Sequence, residues 1–389
     1  MGLYDEISGM ADELTSWRRH IHAHPELGFE EHSTAEFVAA KLEEFGVQVF
    51  KGIGKTGVVG VLREGNQPRS IGLRADLDAL PIAEENTFSH KSKHAGVMHA
   101  CGHDGHTAML LGAAKYLAAT RNFSGQVNFI FQPAEEGIGG ARAMIEDGLF
   151  EQFPCDQLLA IHNAPGMPVG KIGATPGIVT AAGAFFDVTF KGRGAHGAFP
   201  QDSIDPVIMA SQAVNTLQTI VSRNIKPAET VVLSITRIHG GEAYNVIPET
   251  CTIGGTVRTF SLPALHKVEQ RLGEICHGLT AVHGGTVDVD FRTIFHPVVN
   301  NGDVAQFAGD VAAEIVGEDN VLRNLPPGTG SEDFSFMSEV VPSCYLLLGN
   351  SDAEHKRPVH NPHYDFNDRA AVYGSAFFAQ AVERALPLD

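Results

Sequence analysis

Met98-His99-Ala100-Cys101-Gly102-His103-Asp104-Gly105-His106 concentrates three imidazoles, a thiol and a carboxylate into nine residues. Neither an apolar core nor an ordinary solvated surface calls for that composition. Cys101 and His103 are two apart, too close to share a helix face but well placed to converge on one ion from a turn. The run Thr107 to Ala119 that follows is rich in Ala and Leu and reads as a buried helix. The cluster therefore sits at a helix N-terminus, where the macrodipole favours a thiolate. The alternative, a polar loop with chance histidines, is weighed by what surrounds the segment.

Three short apolar runs each lead into metal-capable residues. Ser70 to Arg74 precedes Asp76 and Asp78, Gln126 to Phe131 leads into Pro133-Ala134-Glu135-Glu136, and Gln157 to Ile161 ends in His162-Asn163. Sites in open α/β sheets form outside the carboxyl ends of strands, so Asp76, Glu135, Glu136 and His162 are brought towards the Cys101-His103 turn. Thr107 to Ala119 and about Gly139 to Ile145 supply helical crossovers. Nearer the N-terminus, Ile7, Met10, Leu14 and Trp17 recur at three and four and predict one amphipathic helix from Tyr4 to about His22. Ser33-Thr34-Ala35-Glu36 predicts a capping box opening a helix that stops at Gly46, with short strands after it at Val47 to Phe50 and Gly57 to Leu62.

Past Thr175-Pro176-Gly177 the pattern becomes strand, helix, strand, strand, helix, strand, ending with Thr286 to Phe291. That order is the split-βαβ, ferredoxin-like one. Past Phe295-His296-Pro297 come a helix from about Asp303, a loop through Phe334, a strand Ser343 to Leu348, a loop with His355, His360 and His363, and a closing helix from Asp368. At 389 residues the chain exceeds the usual size of one core. The expected fold is α/β: a catalytic metal-binding domain over 1–178 plus 294–389, with a mostly parallel central sheet flanked by helices, interrupted by a smaller ferredoxin-like α+β module over 179–293.

Composition narrows the partners. With 28 basic and 46 acidic residues the net charge is -18, which repels nucleic-acid phosphates and anionic membranes. No apolar run is long enough to span a bilayer, and Met1 to Glu6 lacks the features of a secretory signal. Five cysteines, an odd number spread along the chain, do not form a disulfide framework and point to a reducing, cytoplasmic setting.

Neighbouring side chains diverge, so one of Glu135 and Glu136 can bind an ion while the other faces a water; the pair would also suit the start of a helix. Asp76 either supports a ligand from behind or caps a turn. A Cys, two or three His and a Glu exceed the three protein ligands of one catalytic zinc, so two ions fit the count better. Thiolate and imidazole suit Zn, while the carboxylate admits Mn, Co or Ni. A rival reading makes Cys101 a nucleophile with His103 as its base, but it leaves the carboxylates without a role.

Taken together the motifs resemble the two-metal aminoacylase and carboxypeptidase family, in its amidohydrolase branch of hippurate hydrolases, N-acyl-amino-acid amidohydrolases and auxin-conjugate hydrolases. The matching pieces are Arg18-Arg19 with His24-Pro25-Glu26-Leu27, Arg74 to Pro81, Met98 to Asp104, Gln132 to Glu136, Gly194-Ala195-His196-Gly197, Asn245-Val246-Ile247-Pro248, Gly255-Thr256-Val257-Arg258 and Ser331-Glu332-Asp333-Phe334. The resemblance implies that Cys101 bridges two divalent ions, with Glu136 and His360 completing one site and His103 and His162 the other. It makes Glu135 the general acid/base and gives Asp76 a supporting place behind a ligand. It makes the inserted module a dimerisation and lid domain, whose His196 reaches the partner's active site to stabilise the oxyanion of a homodimer. Asn245 and Arg258 would hold the substrate's carboxylate or carbonyl. His360 is preferred over His355 and His363 because Val359-His360-Asn361-Pro362 matches the family's context. One departure stands out: Ala195, not Gly, precedes His196, and Gln201 rather than His follows Pro200. The implied activity is hydrolysis of the amide of an N-acyl or N-aroyl amino acid. A dipeptide hydrolase of the carboxypeptidase type and a non-catalytic metal-binding dimer are the alternatives.

Overall fold

The computed structural model describes residues 2–388. Its first helices are α1 (Leu3–Ser8), α2 (Ala11–Ala23) and α3 (His32–Glu44). The single N-terminal helix expected from periodicity is thus two, parted at Gly9-Met10. Glycine is among the poorest helix formers, and the break lets Ile7 and Leu14 both reach full burial. The expected capping box is also replaced. Ser33 lies inside α3, and the Glu26 carboxylate accepts from the backbone N–H of Ser33 and Thr34 at 3.0 and 2.8 Å. A full negative charge at a helix N-terminus does the work assigned to a hydroxyl.

Strands β1 (Gln48–Ile53), β2 (Gly57–Glu64) and β3 (Ser70–Asp76) follow, then α4 (His103–Thr120), β4 (Gly125–Gln132) and β5 (Gln157–Pro168). They form one eight-stranded sheet in the order β1-β2-β4-β3-β5, then Ser343–Ser351, Ile172–Gly173 and Val321–Leu322. Its centre is parallel: β4 with β3, β3 with β5, and β5 with Ser343–Ser351. The edge pairs β1 with β2 and β2 with β4 are antiparallel. Strands β3 and β4 are buried along their whole length, as a sheet covered on both faces requires. Helix α4 has almost no solvent face either and packs against the closing helix Asp368–Ala385. Close approach there demands small residues: a Cβ on Gly112 would lie 2.5 Å from the Ser375 hydroxyl oxygen. A short helix, Phe334–Val340, takes over where a loop was expected to run on to a strand.

By packing, the chain forms two compact units. The first runs to Val179 and includes Val299–Pro326 and the chain from Asp333 onward; the second is Thr180–Val298 with Pro327–Glu332. The second unit is larger than the expected 179–293 because its last strand, Thr286–Phe295, outruns the apolar stretch that announced it. It also takes in the later segment through the Ala181 N–H, which donates to the Gly330 carbonyl at 2.8 Å. The sheet of this unit, in the order Val231–His239, Thr250–Thr259, Ala182–Lys191, Thr286–Phe295, is antiparallel throughout. Helices Pro206–Thr219 and Leu262–His283 pack on it over Phe186, Val188, Phe190, Leu265 and Leu272, the ferredoxin-like arrangement. Among the described residues no helix is long and apolar enough to cross a membrane.

Helix α2 is tied to the start of α4 by buried charge. Arg18 pairs with Asp365 at 2.7 Å and donates from Nε to Asp368 at 2.7 Å. His22 lies between Asp104 at 2.8 Å and Glu84 at 3.2 Å. Burial alone would lower the His22 pKa, but Asp104 and Glu84 outweigh it and raise it to about 9. The raised value means His22 stabilises the fold fully below its unfolded pKa near 6.5, and that contribution is lost as pH climbs through about 9. We expect the unfolding free energy of the wild type, from urea titrations, to fall over this window by on the order of 3 kcal/mol more than that of His22→Gln. Parallel pH profiles of the two proteins would refute the assignment.

Candidate metal centre and active site

Helix α4 begins at His103 because Gly102, at φ 101°, turns the chain into it. Only glycine takes that conformation without strain, and a Cβ there would also strike the Asn163 side chain at 2.1 Å. The turn aims Cys101 and His103 at the same space. Cys101 Sγ lies 3.4 Å from His162 Nε2. His162 comes from β5, which does not end there as expected but continues to Pro168. Its Nδ1 donates to the Asn163 carbonyl at 2.8 Å, leaving Nε2 to face the thiol.

Two further parts of the candidate site arrive on backbone held in the left-handed region. Ala134 (φ 51°) precedes Glu135, and its N–H donates to the buried Glu31 carboxylate at 2.8 Å. His360 (φ 63°) donates its backbone N–H to the Ala100 carbonyl at 2.7 Å, which joins the late loop to the Cys101 turn. Such conformations cost on the order of 1–3 kcal/mol and persist where the surroundings impose them. His360 Nε2 then stands 3.2 Å from Glu136 Oε1. Of its rivals, His355 is paired with Asp352 at 2.9 Å and His363 with Glu85 at 3.1 Å.

Donor atoms of Cys101, His103 and His162 lie within 4.8 Å of one another, and so do those of Cys101, Glu136 and His360. Cys101 belongs to both groups. Glu135 falls within the same distance of His103 and Glu136, and its Oε1 accepts from the Asp333 N–H at 3.4 Å.

This donor set fits divalent cations. The His103 Nε2 is buried with no hydrogen-bond partner, although its other nitrogen is engaged. Burial, reinforced by Glu136, Glu135 and Asp76, pushes the Cys101 thiol well above its ordinary pKa. Burial would lower His103, but Asp76, Asp78 and Glu136 outweigh it and lift the imidazolium pKa to about 10. So much negative charge around a buried thiol and imidazole is what cations would neutralise, releasing protons from both.

Two carboxylates stand near His103. Asp76 is not its hydrogen-bond partner: it lies 3.8 Å from His103 Nε2, and binds His106 Nδ1 at 2.6 Å and Arg74 at 2.8 Å. Asp78 is the one bonded to the His103 ring. Its carbonyl and Oδ1 lie 2.8 and 3.2 Å from His103 Nδ1, and its Oδ2 accepts from the Glu136 N–H at 2.9 Å. Asp76 is the last residue of β3, turned towards α4, whereas Asp78 lies beyond the strand end at the ligands themselves. Alternation could have flagged it, since residues two apart on an extended chain share a face. For Asp78→Asn we expect metal affinity about 10- to 100-fold weaker, read by chelator competition; undiminished affinity would return the orienting role to Asp76.

Asp333, to which no task was assigned from sequence, organises the rear of the site. It accepts from Gln132 Nε2 at 2.6 Å and from the Ala141 N–H at 2.9 Å, and pairs with Arg74 at 3.4 Å. His106 is a support, bound to Asp76 and Asn163, and His99 is buried, neutral and without a hydrogen bond on either ring nitrogen.

The remaining expected residues lie in the second unit. His196, in the two-residue strand Ala195–His196, pairs with Val246 of Val246–Ile247, and the Gly197 N–H donates to the Asn245 carbonyl at 2.7 Å. His196 and Asn245 are therefore neighbours on one exposed hairpin-like ladder. Arg258 is half-buried on Thr250–Thr259, donating to Thr256 Oγ1 and the Val257 carbonyl, with its guanidinium 5.6 Å from the Phe185 ring centre. Both of those acceptors are uncharged, which leaves its charge available to a carboxylate.

Paired donor groups sharing one thiol, with an additional glutamate against them, at the ends of a largely parallel sheet, define a metal-dependent hydrolase. Comparison places it further. The family described as Peptidase family M20/M25/M40 matches residues 72–384, and the chain belongs to it. It is 43% identical to hippurate hydrolase of Campylobacter jejuni, over 98% of each chain. It is 44% identical to N-acyl-L-amino acid amidohydrolase of Geobacillus stearothermophilus, over 76% of this chain and 81% of that one. Its structure superposes on a Bacillus subtilis dinuclear metal binding peptidase of the M20 family with a TM-score of 0.84 at 32% identity, covering 97% of this chain and 99% of the other.

Proposed function

We propose that the protein hydrolyses the amide of N-acyl or N-aroyl amino acids, hippurate-like substrates among them, using two divalent ions per chain drawn from Zn, Mn, Co and Ni. The observation that carries this reading is the sharing of Cys101 between two three-residue groups while Glu135 stays beside them as a base. Cys101, His103 and His162 would hold one ion, and Cys101, Glu136 and His360 the other. Bound there, the ions supply Lewis acidity that polarises the acyl carbonyl and lowers the pKa of water.

The chain's residues account for the rest. Glu135, only 5% exposed, takes a proton from the attacking water and delivers it to the amide nitrogen as the C–N bond breaks, giving a carboxylic acid and a free amino acid. Asp78 keeps His103 in place, and the Asp333 N–H fixes one oxygen of Glu135. Arg258 and Asn245 bind the carboxylate or carbonyl of the substrate. That contact gives an anionic substrate a local attraction against the net charge of -18. His196 stabilises the oxyanion in the active site of a partner chain within a homodimer. Five free cysteines fit a reducing, cytoplasmic setting.

The test is a panel of N-benzoylglycine, N-acetyl amino acids and unmodified dipeptides, with Mn or Zn and with chelator. Release of the amino acid from the acyl substrates, abolished by chelation and restored by metal, is expected. Turnover of dipeptides alone would move the assignment to a peptidase, and no turnover with any acyl substrate would end it.

A further inference from the structure

Away from the Cys101 cluster, three more histidines line a single surface pocket of about 170 Å³. His20 lies in the last turn of α2 and His24 just past its end at Ala23, with ring centres 4.7 Å apart. His94 enters from the loop before Met98, with its ring 6.3 Å from that of His24. Two of these rings are oriented by backbone carbonyls. His24 Nδ1 lies 2.8 Å from the His20 carbonyl oxygen, and His94 Nδ1 lies 2.8 Å from that of Pro25.

A carbonyl oxygen only accepts, so both rings carry a proton on Nδ1 and present Nε2 as a lone pair. Metal-ligating imidazoles are held in this way, one nitrogen engaged by a carbonyl and the other turned to the ion. His24 Nε2 already faces a cation, the Lys93 ammonium at 3.2 Å. The third ring, His20, is stacked on Phe37 with ring centres 4.8 Å apart. His20, His94 and Lys93 are all exposed. The ammonium can therefore swing into solvent, and His20, whose ring no carbonyl holds, is the imidazole that turns to join the other two on an ion.

We propose that His20, His24 and His94 form a peripheral site for a divalent transition-metal ion of the Zn, Ni or Cu kind, separate from the Cys101 cluster. All three donors are imidazoles, which suit these ions and not Mg or Ca. Lys93 competes for the same lone pair and tunes the affinity downward.

The experiment loads the protein with Ni, desalts it, and titrates it with NiCl2 by calorimetry. One further saturable ion per chain is expected, about tenfold weaker in His24→Ala and in His94→Ala, and tighter in Lys93→Ala, with turnover of N-benzoylglycine at limiting Ni unchanged in all three. Absence of a further ion, an affinity unmoved by both histidine variants, or weaker binding in Lys93→Ala would overturn the proposal.

Discussion

Glu135→Gln loses about 10³-fold in kcat while the metal content of the protein stays that of the wild type. The amide of glutamine keeps the shape of the side chain and an oxygen to accept from the Asp333 N–H at 3.4 Å, so the pocket is preserved. What it cannot do is take up a proton. Neither of the two groups that share Cys101 contains Glu135, and its removal leaves three donors for each ion. Glu136→Gln should behave in the opposite way, with metal lost first and turnover falling as a consequence. Metal analysis beside kcat separates the two carboxylates, and loss of ions from Glu135→Gln would show that their tasks are exchanged.

Cys101→Ala empties both sites. Of the two donor groups proposed to hold the ions, Cys101 is the residue common to both, so its truncation would remove a donor from each ion and the shared charge that lets two cations sit close together. We expect affinity for each ion to fall by about 100-fold or more, against loss of one ion only in His360→Ala. The thiol is not a nucleophile in this account. Its pKa lies well above the ordinary value in the absence of cations, and its partner at 3.4 Å is His162, not His103. Cys101→Ala retaining both ions but no activity would revive the nucleophile reading.

Much of this was readable from the chain because the chemistry is local. The turn at Gly102, the paired glutamates after an apolar strand, and His162 within another strand all announce themselves by residue type next to a periodic run. The ferredoxin-like unit is equally plain, since its strands alternate and its helices carry Asp205 and Ser261 as caps. The misses share a cause: they depend on contacts distant in sequence. Asp78 rather than Asp76 orients His103 because β3 ends where it does against α4. Asp333 matters only once Phe334–Val340 brings it to Arg74, Gln132 and Ala141 from roughly two hundred residues away. Glu26 caps α3 from outside the helix, and Glu31 accepts from the Ala134 N–H across about a hundred residues of sequence. Hydrogen bonds from side chain to remote backbone leave no periodic signature, so composition and spacing cannot reveal them.

The central claim is that one thiolate is shared by two ions. X-ray absorption at the zinc edge of protein desalted to two zinc ions per chain tests it by counting sulfur neighbours. The account predicts one sulfur per zinc at about 2.3 Å, because Cys101 touches both ions. Half a sulfur per zinc, the value for a thiolate on one ion alone, or no sulfur at all, would contradict it.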